Sequence, residues 1–207
     1  MVVQLTDTPE LEAGSRRLRE RVREAYSRAA SEPTEGHPFP VGRALAEDVG
    51  YPESLLDALP KVAVDAFAGV GAVASNAEIA EGATVLDLGC GAGVDTVIAA
   101  RRTGPHGKVI GVDFSDSMLE RARAAVAEAE LTHVELMAAP AEALPLATAS
   151  VDVALVNGIF NLNPARDAIF AELARVVRPD GILWIAELVL TGPLSEEAAR
   201  DESNWFA

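Results

Sequence analysis

The chain contains a single cysteine, Cys90, and that scarcity removes two classes of structure together. No intrachain disulfide is available, and a thiolate-rich metal centre is ruled out. Histidine is almost as rare: His37, His106 and His133 stand in unrelated stretches, so metal-ligand spacing is missing and no metal is expected. Cations are outnumbered, 17 lysines and arginines against 32 aspartates and glutamates, for a net charge of −15. A phosphate-backbone partner calls for a basic face, so nucleic acid is not expected. The longest apolar stretch, "VAVDAFAGVGAVA", is too short to span a bilayer and contains Asp65. The N-terminus carries acids where a secretion signal carries positive charge. A soluble, cytoplasmic protein without a membrane partner is the expectation.

Apolar residues make up 49% of the 207, enough for a sizeable core in one domain of ordinary size. Two regions differ in pattern. Residues 1–75 show helical spacing and no convincing strand: Pro9 suits a helix start, and Leu11, Leu18, Val22 and Tyr26 roughly share a face. "SEPTEGHPFPVG" then reads as a connector, and "RALAEDVGYPESLLDALP" as two short helices broken at Gly50 and Pro52. Residues 76–207 alternate. "TVLDLG", "KVIGVDF", "HVELMAA", "VDVALVN" and "GILWIAELVL" read as strands. Helices lie between the first three and between the last two. One turns Met118, Leu119, Ala122, Val126 and Ala129 to the core; another turns Ile169, Phe170, Leu173, Val176 and Val177 inward. Such alternation implies right-handed crossovers and a doubly wound α/β sheet, which binds ligands beyond the carboxyl ends of its strands.

At the end of the first strand stands "VLDLGCGAGVDT", with Gly89, Gly91 and Gly93 between strand and helix. A loop without Cβ atoms turns tightly and lets a ligand approach the backbone. Strand two ends in Asp113, about 20 residues further on, where an acid accepts hydrogen bonds from ribose hydroxyls. Loop and acid together favour a nucleoside-containing cofactor. The dinucleotide pattern G-x-G-x-x-G wants a third glycine where this chain has Val94, and Asp87 sits two residues before the first glycine. A carboxylate there suits a cofactor with a cationic end, which disfavours NAD. Asp87 either touches that ligand or orients the loop.

This D-x-G-x-G-x-G run, followed by "GVDFSDSMLERAR", resembles the class I methyltransferases that use S-adenosylmethionine, and the likeness extends from about residue 60 to the end. It implies a Rossmann-like, mostly parallel sheet of order 3-2-1-4-5, with residues 1–75 as a helical cap. Two further strands, six and seven, are usual in that class, and too few residues follow strand five here to form both. An open fifth strand invites pairing, so a second copy of the chain over that edge is expected. The resemblance also implies a cofactor-binding set. The glycines and Cys90 wrap the methionine portion beside Asp87 and Asn157. Asp113 holds the ribose, Phe114 and Met118 adjoin the adenine, and "AEALP" brings Ala141 and Glu142 to its edge. Pro140 stands where a common variant has an aspartate.

"GPHGKVIGVDFSDSMLERAR" and "SVDVALVNGIFNLNPARDAIFAELARVVRPDGIL" are more particularly similar to the arsenite methyltransferase branch. In that branch cysteine thiolates hold trivalent arsenic, as a soft metalloid requires. The matching positions here are Val70, in "FAGVG", and Gly158; a third thiol would fall just past "ESNWFA". The expectation is therefore a relative that methylates a small organic molecule, with arsenite methylation or cofactor binding without catalysis as the alternatives. Methyl transfer from a sulfonium needs alignment above all, and a general base only for a protonated acceptor. Candidate bases are His37, Tyr26, Tyr51 and Glu187; Gly158, Phe160 and Asn161 are the candidate acceptor-binding residues.

Overall fold

A computed structural model describes residues 9–33 and 35–192, with side chains from residue 17 onward. The N-terminal region is helical: α1 (Pro9–Ser31), α2 (Arg43–Asp48), α3 (Glu53–Asp57), α4 (Lys61–Val64) and α5 (Val73–Asn76). From Thr84 strands and helices alternate as β1 (Thr84–Leu88), α6 (Val94–Thr103), β2 (Lys108–Asp113), α7 (Asp116–Glu128) and β3 (Val134–Ala138). β4 (Val151–Asn157), α8 (Arg166–Val176) and β5 (Val177–Ala186) follow. The strands form one sheet of order β3-β2-β1-β4-β5, and every neighbouring pair is parallel. The expected doubly wound, Rossmann-like fold and its strand order are therefore found.

The apolar runs explain why β1 lies at the centre. Its side chains alternate between faces, and both faces are covered. Val85 joins Val109, Val153 and Leu155 in a core with Val97 and Ile98 of α6 and with Leu56 and Phe67. Leu86 and Leu88 join Ile110, Val112, Ala154 and Val156 against Ile169, Leu173 and Val176 of α8. Among the described residues no helix is long and apolar enough to cross a membrane.

Two local expectations are corrected. Phe170 does not turn inward: it is 47% exposed and stacks on Phe160 at 4.4 Å between ring centroids. The final strand begins at Val177, so that residue belongs to β5 and not to α8, and the strand ends at Ala186. A register shift between Val151 and Val153 absorbs the Arg178–Pro179–Asp180 stretch within the sheet. Leu188, Val189 and Leu190 follow β5 and are exposed. Strands six and seven, usual in the resembled class and expected to be missing here, are not tested, because residues 193–207 lie outside the described residues, as does the side chain of Leu11.

α1 crosses back onto the start of α7, where Phe39, Ala30 and Met118 share a small core. Ser115 caps α7, its Oγ accepting from the Met118 N–H at 3.4 Å and lying 3.3 Å from Ser27 Oγ of α1. Ser115→Ala is expected to cost about 1 kcal/mol and lower Tm by roughly 2–4 °C in thermal denaturation. An unchanged Tm would show the cap to be idle.

Candidate functional site

A cavity of about 620 Å3 opens at the carboxyl ends of β1, β2 and β4, roofed by α1. Its size is that of a pocket for a cofactor-sized ligand. The floor is the glycine loop. Gly89 and Cys90 donate their N–H groups to the Val112 carbonyl at 2.8 and 3.0 Å, stitching the loop to β2. Gly91 donates to Asp113 Oδ2 at 2.9 Å. Gly91 has φ +51°, and a Cβ built there would meet no atom within 4 Å, so the loop presents bare backbone to open space. Gly93 serves packing, since a Cβ would lie 3.2 Å from Ala122 of α7.

Asp113 is buried at the end of β2, and its second oxygen accepts from the Ser115 N–H at 2.8 Å. Asp87 is also buried and accepts from Thr96 Oγ1 at 2.5 Å. A third buried acid, Asp95, stands in the first turn of α6. It accepts from the Tyr51 hydroxyl, from the Ala74 N–H at 3.0 Å and from Asn157 Nδ2 at 2.9 Å. Burial pushes the pKa of all three acids up; for Asp87 the charges of Asp95 and Asp113 add to it. A cation on this floor would favour ionisation of the three acids and an anion would oppose it, so the floor suits a cation.

Tyr51, a candidate base by sequence, does not line the cavity and donates to Asp95, which sequence did not pick out. The signal was available, because α6 is buried all round and an acid inside such a helix needs a partner. Asn157, expected beside a cofactor, does line the cavity, but its amide is committed elsewhere. Oδ1 accepts from Val70 and Gly71 N–H at 2.8 and 3.1 Å, and Nδ2 donates to the Gly71 carbonyl at 2.8 Å.

The remaining candidates divide cleanly. Gly89, Cys90, Phe114, Met118, Ala141, Glu142, Gly158 and Tyr26 reach the cavity wall with the acids. Phe114 is 37% exposed at the rim, with the Arg23 guanidinium 6.0 Å above its ring. Glu142 is ion-paired with Arg19 of α1 at 2.6 Å and accepts from Asn163 at 3.2 Å. The Cys90 thiol is buried and pushed well above its ordinary pKa by burial and then by Asp113 and Asp87, which leaves it a poor nucleophile. Phe160, Asn161, Glu187 and His37 do not line the cavity. Phe160 packs in the core on Phe170, and its N–H donates to Glu187 Oε2 at 2.6 Å. His37 Nε2 lies 2.9 Å from the Glu32 carbonyl, and the ring stacks on Phe39. Position 158 is tight: Gly158 has φ +73°, and a Cβ there would lie 3.1 Å from Val70 Cγ1. The two positions matched to arsenic-binding thiols thus face each other, carrying no sulfur.

The buried acids set a pH dependence. Their folded pKa values lie above the usual unfolded value near ~4, so the folded chain holds those protons more tightly. That contribution is complete below the unfolded pKa and is lost as pH rises through the folded values. Glu172, held at about 2 by Arg175, and Asp152, lowered by the Thr84 N–H and Arg178, titrate on the acid side and stay ionised above it. Chemical denaturation of the ligand-free chain should therefore show stability falling from pH 5 towards alkaline pH, by about a kcal/mol or more per unit while an acid titrates. Rising stability over that range would contradict the buried acids.

Residues 79–206 match a family described as a methyltransferase domain. An arsenite methyltransferase from Halobacterium salinarum is 40% identical over 128 residues, 62% of this chain and 33% of that protein. A demethylmenaquinone methyltransferase from Lactococcus lactis is 38% identical over 100 residues, 48% of this chain and 40% of its own. Among solved structures, an arsenic(III) S-adenosylmethionine methyltransferase from Chlamydomonas reinhardtii superposes with TM-score 0.59 at 26% identity, covering 82% of this chain and 57% of the other. The chain thus spans roughly a third to two fifths of the length of these curated relatives.

Proposed function

The chain belongs to the methyltransferase-domain family, and from that premise we propose that it transfers a methyl group from S-adenosylmethionine to a small organic acceptor. The observation that carries the reading is the Gly91–Asp113 hydrogen bond on the cavity floor, which couples a ligand-facing backbone to a ribose-accepting acid. The residues fit the cofactor in size and charge: the cavity is large enough, Gly91 leaves room for close approach, and the buried acids suit a cationic end.

When bound, the sulfonium supplies an electrophilic methyl for in-line displacement. The chain's own contribution is placement. Asp113 accepts from the ribose hydroxyls while its other bonds hold the loop and Ser115 N–H in place. Asp87 and Asp95 balance positive charge, Phe114 stacks at the adenine rim, and Ala141 with Glu142 closes that edge. α1 keeps water out and, with the rest of residues 1–75, forms a cap over the cofactor domain of residues 76–207. Alignment of this kind supplies much of the barrier reduction such a displacement needs.

An organic acceptor is favoured over arsenite by Val70 and Gly158, which meet where two thiols would be required, and by the buried, unactivated Cys90. We further read the chain as cytoplasmic and without a nucleic-acid partner, in keeping with its net charge of −15. The exposed Ile182 and Ile185 of β5 support a second copy over that edge.

Calorimetry with S-adenosylmethionine and S-adenosylhomocysteine is the test. Heat of binding with both is expected, and silence with both would overturn the proposal. Incubation with labelled methyl donor and metabolite extract should then yield a labelled product; a cofactor-binding protein without catalysis would yield none. Binding of NAD in place of both would favour a reductase instead.

A further inference from the structure

The inner polar side chains of the cavity wall are nearly all engaged by the protein. Asp87, Asp95, Asp113, Asn157 and Asn163 each have the partners their chemistry asks for. Tyr26 is the exception. Its ring lies in the lid helix α1, stacked on Phe39 at 4.6 Å, and forms part of the wall. Among the described residues its hydroxyl has no hydrogen-bond partner, yet the oxygen is not sealed in as His37 Nδ1 and Asn161 Oδ1 are. Tyr26 is also one of the residues that line the cavity. A half-buried phenol without a protein partner has its hydrogen bond left to give to what enters the cavity.

The surroundings narrow what that ligand is. Tyr26 packs with Ala66, Ala68, Phe39 and Met118 in the small core beneath α1, and Val22 and Phe67 add apolar surface to the same cavity. Burial, and then the negative charges of Asp113 and Glu187, keep the phenol protonated and therefore a donor. The two cations on the wall are already committed: Arg19 to Glu142, and Arg23 to the carbonyl and ring of Phe114. An anion entering here would meet carboxylates and no free cation.

We propose that the Tyr26 hydroxyl holds the methyl acceptor, and that the acceptor is an uncharged, largely apolar molecule bearing a hydrogen-bond-accepting oxygen, as in a phenol, enol or ketone. This rests on the methyltransferase reading above and gives its acceptor a chemical class. Tyr26 is a specificity-determining donor in this account and takes no proton from the acceptor.

Three probes of one shape test it: 2-naphthol, naphthalene and 2-naphthoate, titrated by calorimetry into protein saturated with S-adenosylhomocysteine at neutral pH. 2-Naphthol is expected to bind, with 2-naphthoate at least about tenfold weaker. Tyr26→Phe, which preserves the stack on Phe39, should weaken 2-naphthol about five- to tenfold, the worth of one hydrogen bond, and bring it level with naphthalene. Affinity for S-adenosylhomocysteine should stay unchanged in that variant. The proposal falls if 2-naphthoate binds as tightly as 2-naphthol, if 2-naphthol fails to bind at millimolar concentration, or if Tyr26→Phe weakens S-adenosylhomocysteine instead. Should the variant not fold, the comparison of 2-naphthol with 2-naphthoate on the unaltered chain decides alone. Failure of S-adenosylhomocysteine itself to bind would sink the methyltransferase reading, a separate outcome.

Discussion

Asp113→Ala is expected to lower the affinity for S-adenosylhomocysteine by roughly ten- to a hundredfold, or about 1.4–2.8 kcal/mol. Two losses add. The ribose hydroxyls lose their acceptor, and the Gly91 N–H loses the carboxylate that fixes it at 2.9 Å. The second loss matters because a glycine at φ +51° is the freest residue on the floor, and nothing else of Asp113's strength holds it. Stability of the ligand-free chain should change far less. Removing Asp113 leaves two N–H groups unpaired, but it also removes a buried charge whose desolvation is unfavourable. Asp113→Asn keeps an acceptor oxygen and should lie between. Calorimetry reads the affinities directly, and an Asp113→Ala variant within twofold of the unaltered chain would remove this residue from the ribose site.

The fold and the cofactor floor were legible for the same reason: their signals are local. β1, β2 and β4 are short apolar runs closed by turn residues; the glycine loop follows directly on β1, and Asp113 is the last residue of β2. What escaped depends on contacts between distant segments. Phe170 neighbours Ile169 on α8, so helical spacing alone put both inside, yet the groove beside Phe160 captures the Phe170 ring at the surface. Arg178–Pro179–Asp180 carries turn chemistry, but its register shift keeps it in β5. The acid network is the plainest case. Asp95 meets Tyr51 from 44 residues away and Asn157 from 62, and neither separation leaves a trace in local pattern. Asn157, Asn161 and Asn163 crowd the end of β4 and the turn that follows it, and only the packing tells them apart. Asn157 grips a loop, Asn163 binds Glu142 and the Ala165 N–H, and Asn161 lies away from the cavity.

Asn157→Leu, close in shape and without polar atoms, is expected to destabilise the fold by about 3–5 kcal/mol. Its amide makes four hydrogen bonds: two from the N–H groups of Val70 and Gly71, one to the Gly71 carbonyl, and one to Asp95. All lie in a half-buried to buried setting, so each partner left behind carries a desolvation cost, and the Asp95 carboxylate carries the largest. Leucine restores packing and none of these bonds. The loss is a large share of the 5–15 kcal/mol typical of a domain and corresponds to a Tm lower by roughly 6–20 °C. Asp95→Leu should be milder, because it removes the buried charge itself and leaves only neutral donors, on Tyr51, Ala74 and Asn157, without an acceptor. If the two side chains act as one unit, the double variant will cost less than the sum, by about 0.5–3 kcal/mol. Equilibrium denaturation of the four proteins measures that coupling. Strict additivity would mean that Asn157 and Asp95 hold the loop independently; a loss below about 1 kcal/mol for Asn157→Leu would mean that the loop of residues 69–71 is held by its own packing. The coupled outcome makes Asn157 the bracket that sets the wall of Gly69, where a Cβ would lie 2.6 Å from its amide, against the cavity.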